Sequence, residues 1–226
     1  MTGPSGRERG ADGGRVEYEV KLEVDPDLEV PDLDALGVGA SAEPREPVEL
    51  DATYFDAADL RLVGQGVSGR RRTGEGTRWT VKVPAFDAAS GARGAVAREE
   101  HDVVDEATAP PSDVRGLVAP WLGDAELVPV ARLVSARARI GLRAAEPDQV
   151  VAELDDDLVV VFAGDREVGR FREIEIELAH GLSDAAAEAA VTLVDAVADQ
   201  LVAVGARRGD PRSKIDRALA MIGRTR

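Results

Sequence analysis

The chain has no cysteine, which excludes disulfides and thiolate metal sites. That absence fits a reducing compartment, and a cytoplasmic location is the expectation. Lysine is almost absent. Only Lys21, Lys82 and Lys214 occur, so 25 of the 28 basic residues are arginine (28 − 3). Histidine occurs twice, as His101 and His180, and both read as strand-surface or loop residues without a catalytic role. Trp79 and Trp121 read as packing residues rather than base-stacking platforms. No apolar run approaches the ~20 residues of a transmembrane helix. Residues 1 to 15 lack the apolar core of a signal peptide and read as a disordered tail. Basic excess is missing too. Forty-three acids against 28 bases leave a net charge of −15, which argues against nucleic acid and anionic membranes as partners. An anionic ligand stays compatible with that charge if the cations are gathered in one place.

What the chain has in quantity is alternation. Glu17, Glu19 and Lys21 alternate with Tyr18, Val20 and Leu22. In a strand from about Val16 to Val24, one face is therefore charged and the other apolar. The pattern recurs. Arg70 and Arg72 share a face, as do Arg78, Thr80 and Lys82 on the return arm of a predicted hairpin over Gly69 to Val83. Arg98, Glu100 and Asp102 share a face in a strand over Ala95 to Val104, and Arg137 and Arg139 in one over Leu127 to Leu142. Phe171 to Leu178 is the clearest case, with Glu173, Glu175 and Glu177 against Ile174, Ile176 and Leu178.

Further strands are expected at Val48 to Phe55, briefly at Asp59 to Val63, and as a bent pair over Val150 to Phe162 around the Asp155 to Asp157 run. Ala40 to Pro47 reads as a loop. Helices are expected at Asp32 to Leu36, after Ser112 as N-cap, from Asp184 to about Val204 behind a Ser183 cap, and after Ser213. The Gly64-Gln65-Gly66-Val67-Ser68-Gly69 stretch matches G-x-G-x-x-G only formally. A strand and a Gly-rich turn follow it, not the helix a dinucleotide site needs.

About eight strands with four helices, charged on one face and apolar on the other, suit a mainly β (α+β) fold. The expected architecture is a closed eight-stranded antiparallel β-barrel, a tunnel with a charged lumen and flanking helices on its apolar outer face. The carboxylates of Glu17/Glu19 and Glu173/Glu175/Glu177 suit an all-oxygen site for a hard cation, Mg²⁺ or Mn²⁺. Lys21, Arg70, Arg72, Lys82, Arg98, Arg137 and Arg139 supply the positive charge that a polyphosphate requires.

These residues, taken in order, resemble the CYTH superfamily, the triphosphate tunnel metalloenzymes. Its Glu-x-Glu-x-Lys signature is matched by Glu17-Tyr18-Glu19-Val20-Lys21. The likeness continues through Tyr54-Phe55-Asp56, Arg70-x-Arg72, Trp79-Thr80-Val81-Lys82, Arg98-Glu99-Glu100, Arg137-x-Arg139, the Glu173 to Glu177 strand and Ser213-Lys214. All three lysines fall on it. The resemblance implies one domain over residues 16–223. It also implies a metal held by Glu17, Glu19, Glu175 and Glu177, with phosphate contacts from Lys21, Arg70, Arg72, Lys82, Arg98, Arg137, Arg139 and Lys214. Catalysis would centre on Glu17, Glu19 and Lys21. Glu100, Glu153, Asp155 and Glu173 would line the rest of the tunnel, with the inward aspartate of the 155–157 run left open by the chance of a bulge.

The implied activity is metal-dependent hydrolysis of a triphosphate, with tripolyphosphate favoured. Thiamine or nucleoside triphosphate hydrolysis, adenylate cyclisation and non-catalytic polyphosphate binding are the alternatives. A monomer or homodimer is expected. The helical CHAD domain that follows in many bacterial members is not expected within these residues.

Overall fold

A computed structural model describes residues 15–34, 40–84, 96–145, 148–209 and 213–224, and leaves the side chains of residues 15–17 and 96–98 aside. Residues 1–14 of the predicted tail lie outside these residues, as do Ala35 and Leu36 at the end of the predicted Asp32 to Leu36 helix.

The strands are β1 (Arg15–Val24), β2 (Ala40–Asp56), β3 (Ser68–Thr73), β4 (Arg78–Pro84), β5 (Val96–Val103), β6 (Val128–Ala144), β7 (Gln149–Ala163), β8 (Arg166–Leu178) and β9 (Arg207–Arg208). The helices are α1 (Ser112–Leu122), α2 (Asp184–Ala203) and α3 (Lys214–Ile222). The strands form one antiparallel sheet in the order β5-β4-β3-β2-β6-β7-β8-β1-β9. β1 is bonded along both edges. Glu19 to Val24 pair with β8, and Arg15 to Glu19 pair with β5, from the opposite end of that order.

Alternation sets the two faces, as expected. Val20, Leu22, Leu154, Ile174 and Ile176 form an apolar face with Val194, Val197 and Leu201 of α2. The Ser183 hydroxyl accepts from the Ala186 N–H and starts that helix as predicted. Trp79, Val81 and Val83 of β4 pack with Val114, Val118 and Leu122 of α1.

The third helix behaves differently. Leu133, Val159, Val161 and Phe171 have the same parity as Arg137, Asp155, Asp157 and Glu173, so they continue the charged face. That face turns apolar at one end, and Ile215, Ala218 and Leu219 of α3 cover it there. The sequence reading put all helices outside because an amphipathic pattern names a buried stripe and not the surface that buries it. Ser213 and Asp216 fix the start of α3 with a reciprocal capping box.

Several expectations are corrected. Ala40 to Pro47 is part of β2, and the Glu46-Pro47 pair sits in a bulge between Arg45 and Val48 that absorbs the missing N–H of proline. Asp59 to Val63 is a turn entering a short 3-10 helix. The fully buried Asp56 carboxylate imposes it by accepting from the N–H groups of Ala57, Leu62 and Val63. The α1 N-cap is Pro111 rather than Ser112, without a side-chain cap. The aspartate run is no turn. β7 is continuous through it, with Asp155 and Asp157 on the charged face and Asp156 paired at 2.7 Å with Arg172. Among the described residues there are three α-helices, and the expected Asp32 to Leu36 helix runs beyond them. The Gly64 to Gly69 stretch runs into β3, as expected for a loop leading to a strand.

Candidate functional site

The charged faces of β1, β3, β4, β5, β6, β7 and β8 converge on one cavity of about 310 Å³. Of the predicted residues, Glu19, Lys21, Arg70, Arg72, Lys82, Glu100, Arg137, Glu153, Asp155, Glu175, Glu177 and Lys214 all line it. Glu173 lies just beneath, 3% exposed. Arg139 is turned to the Glu75 carboxylate and the Glu46 carbonyl instead of the cavity. The side chains of Glu17 and Arg98 are outside the described residues, although β5 pairs their backbones.

One side of the cavity holds a dense ion network. The Lys214 ammonium lies 3.0 Å from Asp157, 2.6 Å from Glu173 and 2.5 Å from Glu175. Lys21 reaches the other oxygen of Glu175 at 2.6 Å and Glu19 at 3.4 Å. Arg137 grips Asp157 through two bonds, at 2.8 and 2.6 Å, and also holds Asp155. Arg217 closes the far side of Glu173 at 3.0 Å while stacked over Phe171. Burial opposes the charge on Glu175, but Lys21, Lys214 and Arg137 outweigh it and hold this carboxyl well below its ordinary range. The same network holds the Lys214 ammonium well above its own.

Asp157, Glu173 and Glu175 present carboxylate oxygens close enough together to hold a metal ion. The Lys214 ammonium already contacts all three. Lys214 also lines the cavity, so its ammonium stands between these carboxylates and the cavity.

The opposite side is rich in cations. Arg70 donates to the Tyr54 hydroxyl at 3.3 Å, while its buried Nε has no partner. Arg72 has no ion pair among the described residues. Burial, followed by repulsion from Arg70, Arg137 and Arg78, pulls its pKa down to about 10. It stays a cation at neutral pH, in a place that is short of an anion.

Near the Glu19 end carboxylates face one another. Glu19 and Glu177 stand directly opposite in the β1–β8 register. Burial pushes the Glu177 pKa up to about 7, with Lys82 pulling down and Glu19, Glu100 and Glu175 pushing up. The folded pKa exceeds the ordinary 4.5, so the folded state binds more protons and stability falls as pH rises from about 4.5 to 7. The expected loss is on the order of 1–2 kcal/mol, discounted for partial exposure. In metal-free buffer, Glu177→Gln should match wild type at pH 5 and melt higher at pH 8. A variant that keeps the full wild-type slope would clear Glu177 of this role.

Sequence parity already placed Arg78, Thr80 and Asp102 on charged faces, and all three line the cavity. Thr80 donates to Asp102 at 2.8 Å. Glu75 and Ser213 join from a turn and a helix cap. His180, read as a plain loop residue, also lines the cavity. No periodicity reaches a residue beyond a strand end, so nothing in the pattern marked it.

Sheet and cavity together define a class of protein. The CYTH domain family model matches residues 15–200, and the chain belongs to that family. No functionally curated protein matches it. Among solved structures it is similar to an adenylate cyclase candidate from Bacillus halodurans, at 18% identity and TM-score 0.61, covering 91% of this chain and 98% of that one. A second is an adenylyl cyclase candidate from Hippeastrum described as having a dominant triphosphatase activity, at 20% identity and TM-score 0.56, covering 90% and 95%. A third is the PH1819 protein from Pyrococcus horikoshii, at 16% identity and TM-score 0.51, covering 90% of this chain and 98% of that one. These likenesses concern the fold. No helix among the described residues is long and apolar enough to cross a membrane.

Proposed function

We propose that this protein is a divalent-metal-dependent triphosphatase acting on inorganic tripolyphosphate inside a tunnel of eight strands. The pairing of β1 with both β8 and β5 supports closure of the sheet into that tunnel. Family membership supports a triphosphate as substrate. The observation that carries the reading is the charge imbalance within one cavity. At one side the buried Nε of Arg70 has no partner and Arg72 has no ion pair among the described residues, and at the other Glu19 and Glu177 stand directly opposed as like charges.

Like charges directly opposed destabilise a sheet, so the second half of that imbalance fits a bound cation. Oxygen donors alone suit Mg²⁺ or Mn²⁺. Glu19 and Glu177 would hold the ion, with Glu17 assigned to the same set on the Glu-x-Glu-x-Lys pattern. When bound, it would polarise a phosphoryl oxygen and lower the pKa of a water.

The chain's own residues do the rest. Arg70, Arg72, Arg78 and Lys82 grip the phosphates, the arginines through planar forks. Arg137 is locked by Asp155 and Asp157 and presents a fixed positive charge to the chain of phosphates. Lys21 and Lys214 fix Glu175 between them, which sets the floor on which the reacting phosphoryl group is oriented for in-line attack. Tyr54 and His180 are the only ring side chains in the cavity lining among the described residues. That favours an inorganic substrate over one with a base to seat. The absence of cysteine supports a cytoplasmic setting.

The test is phosphate release from tripolyphosphate, ATP and thiamine triphosphate, each with Mg²⁺, Mn²⁺ or EDTA. Tripolyphosphate turnover well above the other two, abolished by EDTA, is the expected result. Preference for an organic triphosphate would replace the substrate, and binding without turnover of any would replace the enzyme with a receptor.

A further inference from the structure

His180 has no part in the reading above, yet its position is tightly specified. It lies two residues past the end of β8. The Ala179 N–H donates to the Val151 carbonyl at 2.9 Å and ties the chain to β7 just before it. Gly181 is left-handed, with φ of 74°, and turns the chain back just after it. Ser183 then opens α2. An imidazole held between a strand end and a helix cap has few places to go. This one lines the cavity, with Nε2 3.7 Å from Oε1 of Glu177. Glu177 faces Glu19 across the strand pair. The other histidine, His101, is absent from the cavity lining and pairs with Glu99 at 3.1 Å. His180 is therefore the one imidazole at the carboxylate end.

We propose that His180 supplies a nitrogen donor to the divalent ion held by Glu19 and Glu177, and so biases this site toward Mn²⁺ over Mg²⁺. The proposal rests on the metal-site reading above. Its chemistry is that of ligand softness. Carboxylates serve Mg²⁺ and Mn²⁺ alike, whereas imidazole favours the transition ion, because Mg²⁺ holds to oxygen and to its own waters. Half-exposed at the cavity edge, His180 can swing toward the ion without disturbing the core.

The experiment uses the full chain with Mn²⁺ alone. Binding is followed by loss of the free-ion EPR signal, and the bound ion is then examined by pulsed EPR for coupling to ¹⁴N. Wild type and His101→Gln should both show the nitrogen coupling. His180→Gln should lose it and bind Mn²⁺ roughly tenfold more weakly, with Mg²⁺ affinity by competition essentially unchanged. Bound Mn²⁺ without nitrogen coupling in wild type, or coupling that survives in His180→Gln, would overturn the proposal and leave the carboxylate site intact. No Mn²⁺ binding that responds to Glu19→Gln would overturn the metal site itself, and the role of His180 with it.

Discussion

Glu19→Gln should lower triphosphate hydrolysis by roughly a hundredfold or more, the scale of losing one preorganised electrostatic group at a reacting centre, while tripolyphosphate still binds. Glu19 is 4% exposed. Burial disfavours its charge, but Lys21, Lys82 and Lys214 outweigh that and hold its pKa below the ordinary range. It is therefore ionised at neutral pH, and the amide removes a full charge with little change of shape. What remains of the site is the cationic side, Arg70, Arg72, Arg78 and Lys82, which does not depend on Glu19 for position. Binding by calorimetry should hold or tighten, because a negative charge has left a cavity that takes an anion. Hydrolysis should fall through kcat, since the interaction lost belongs to the reacting end. An unchanged rate would remove Glu19 from the chemistry. A parallel loss of binding and rate would make it a scaffold residue.

Lys214→Ala should have the largest effect on stability. The ammonium is buried and touches Asp157, Glu173 and Glu175 at once. Breaking a buried ion cluster by deleting one partner typically costs about 3–5 kcal/mol, since the remaining charges stay buried without compensation. For a domain of this size that is a Tm drop on the order of 10 °C. The sign with pH can be worked out. Lys214 helps to hold Asp157 below its ordinary pKa, and Glu175 well below. That contribution is present above the unfolded carboxylate range and is lost as pH falls through the depressed values. The gap between wild type and Lys214→Ala should therefore be wide at pH 7 and narrow under acid. A divalent ion should also recover part of the loss, because the three carboxylates are spaced to hold one once the ammonium is gone. Thermal melts at pH 4 and 7, with and without Mn²⁺, decide it. A variant that melts within a degree or two of wild type at pH 7 would show that the network carries little of the fold.

These two residues also mark how far the sequence could be read. Glu19 was legible because a strand's period of two is rigid. Once Val20 and Leu22 are core, Glu19 and Lys21 must share the other face. The same rule placed Glu175, Glu177, Arg70, Arg72 and Lys82 correctly on the cavity. Lys214 was legible as a member of the site, but its carboxylate partners were not. A pattern gives a side chain's face, not its partner, and the partners of Lys214 come from β7 and β8. Asp157 stayed undecided because a bulge shifts parity, and only the continuous β7–β8 register resolves it. Arg139 shows the opposite failure. It has the right parity but stands next to the Arg45/Val48 bulge, where Glu46 and Glu75 capture it. His180 was out of reach altogether, because a turn residue has no period.

One carboxylate ties the two extremes of the fold together. Glu175 takes Lys21 of β1 on one oxygen and Lys214 of α3 on the other. On the ribosome β1 emerges well before its two partner strands, which follow roughly 80 and 150 residues later, and the closing lysine comes later still. During synthesis, β1 therefore waits with both edges unsatisfied, and Glu175 has only half of its counter-charge until α3 emerges. The ion network around Glu175 is thus completed only once α3 has emerged.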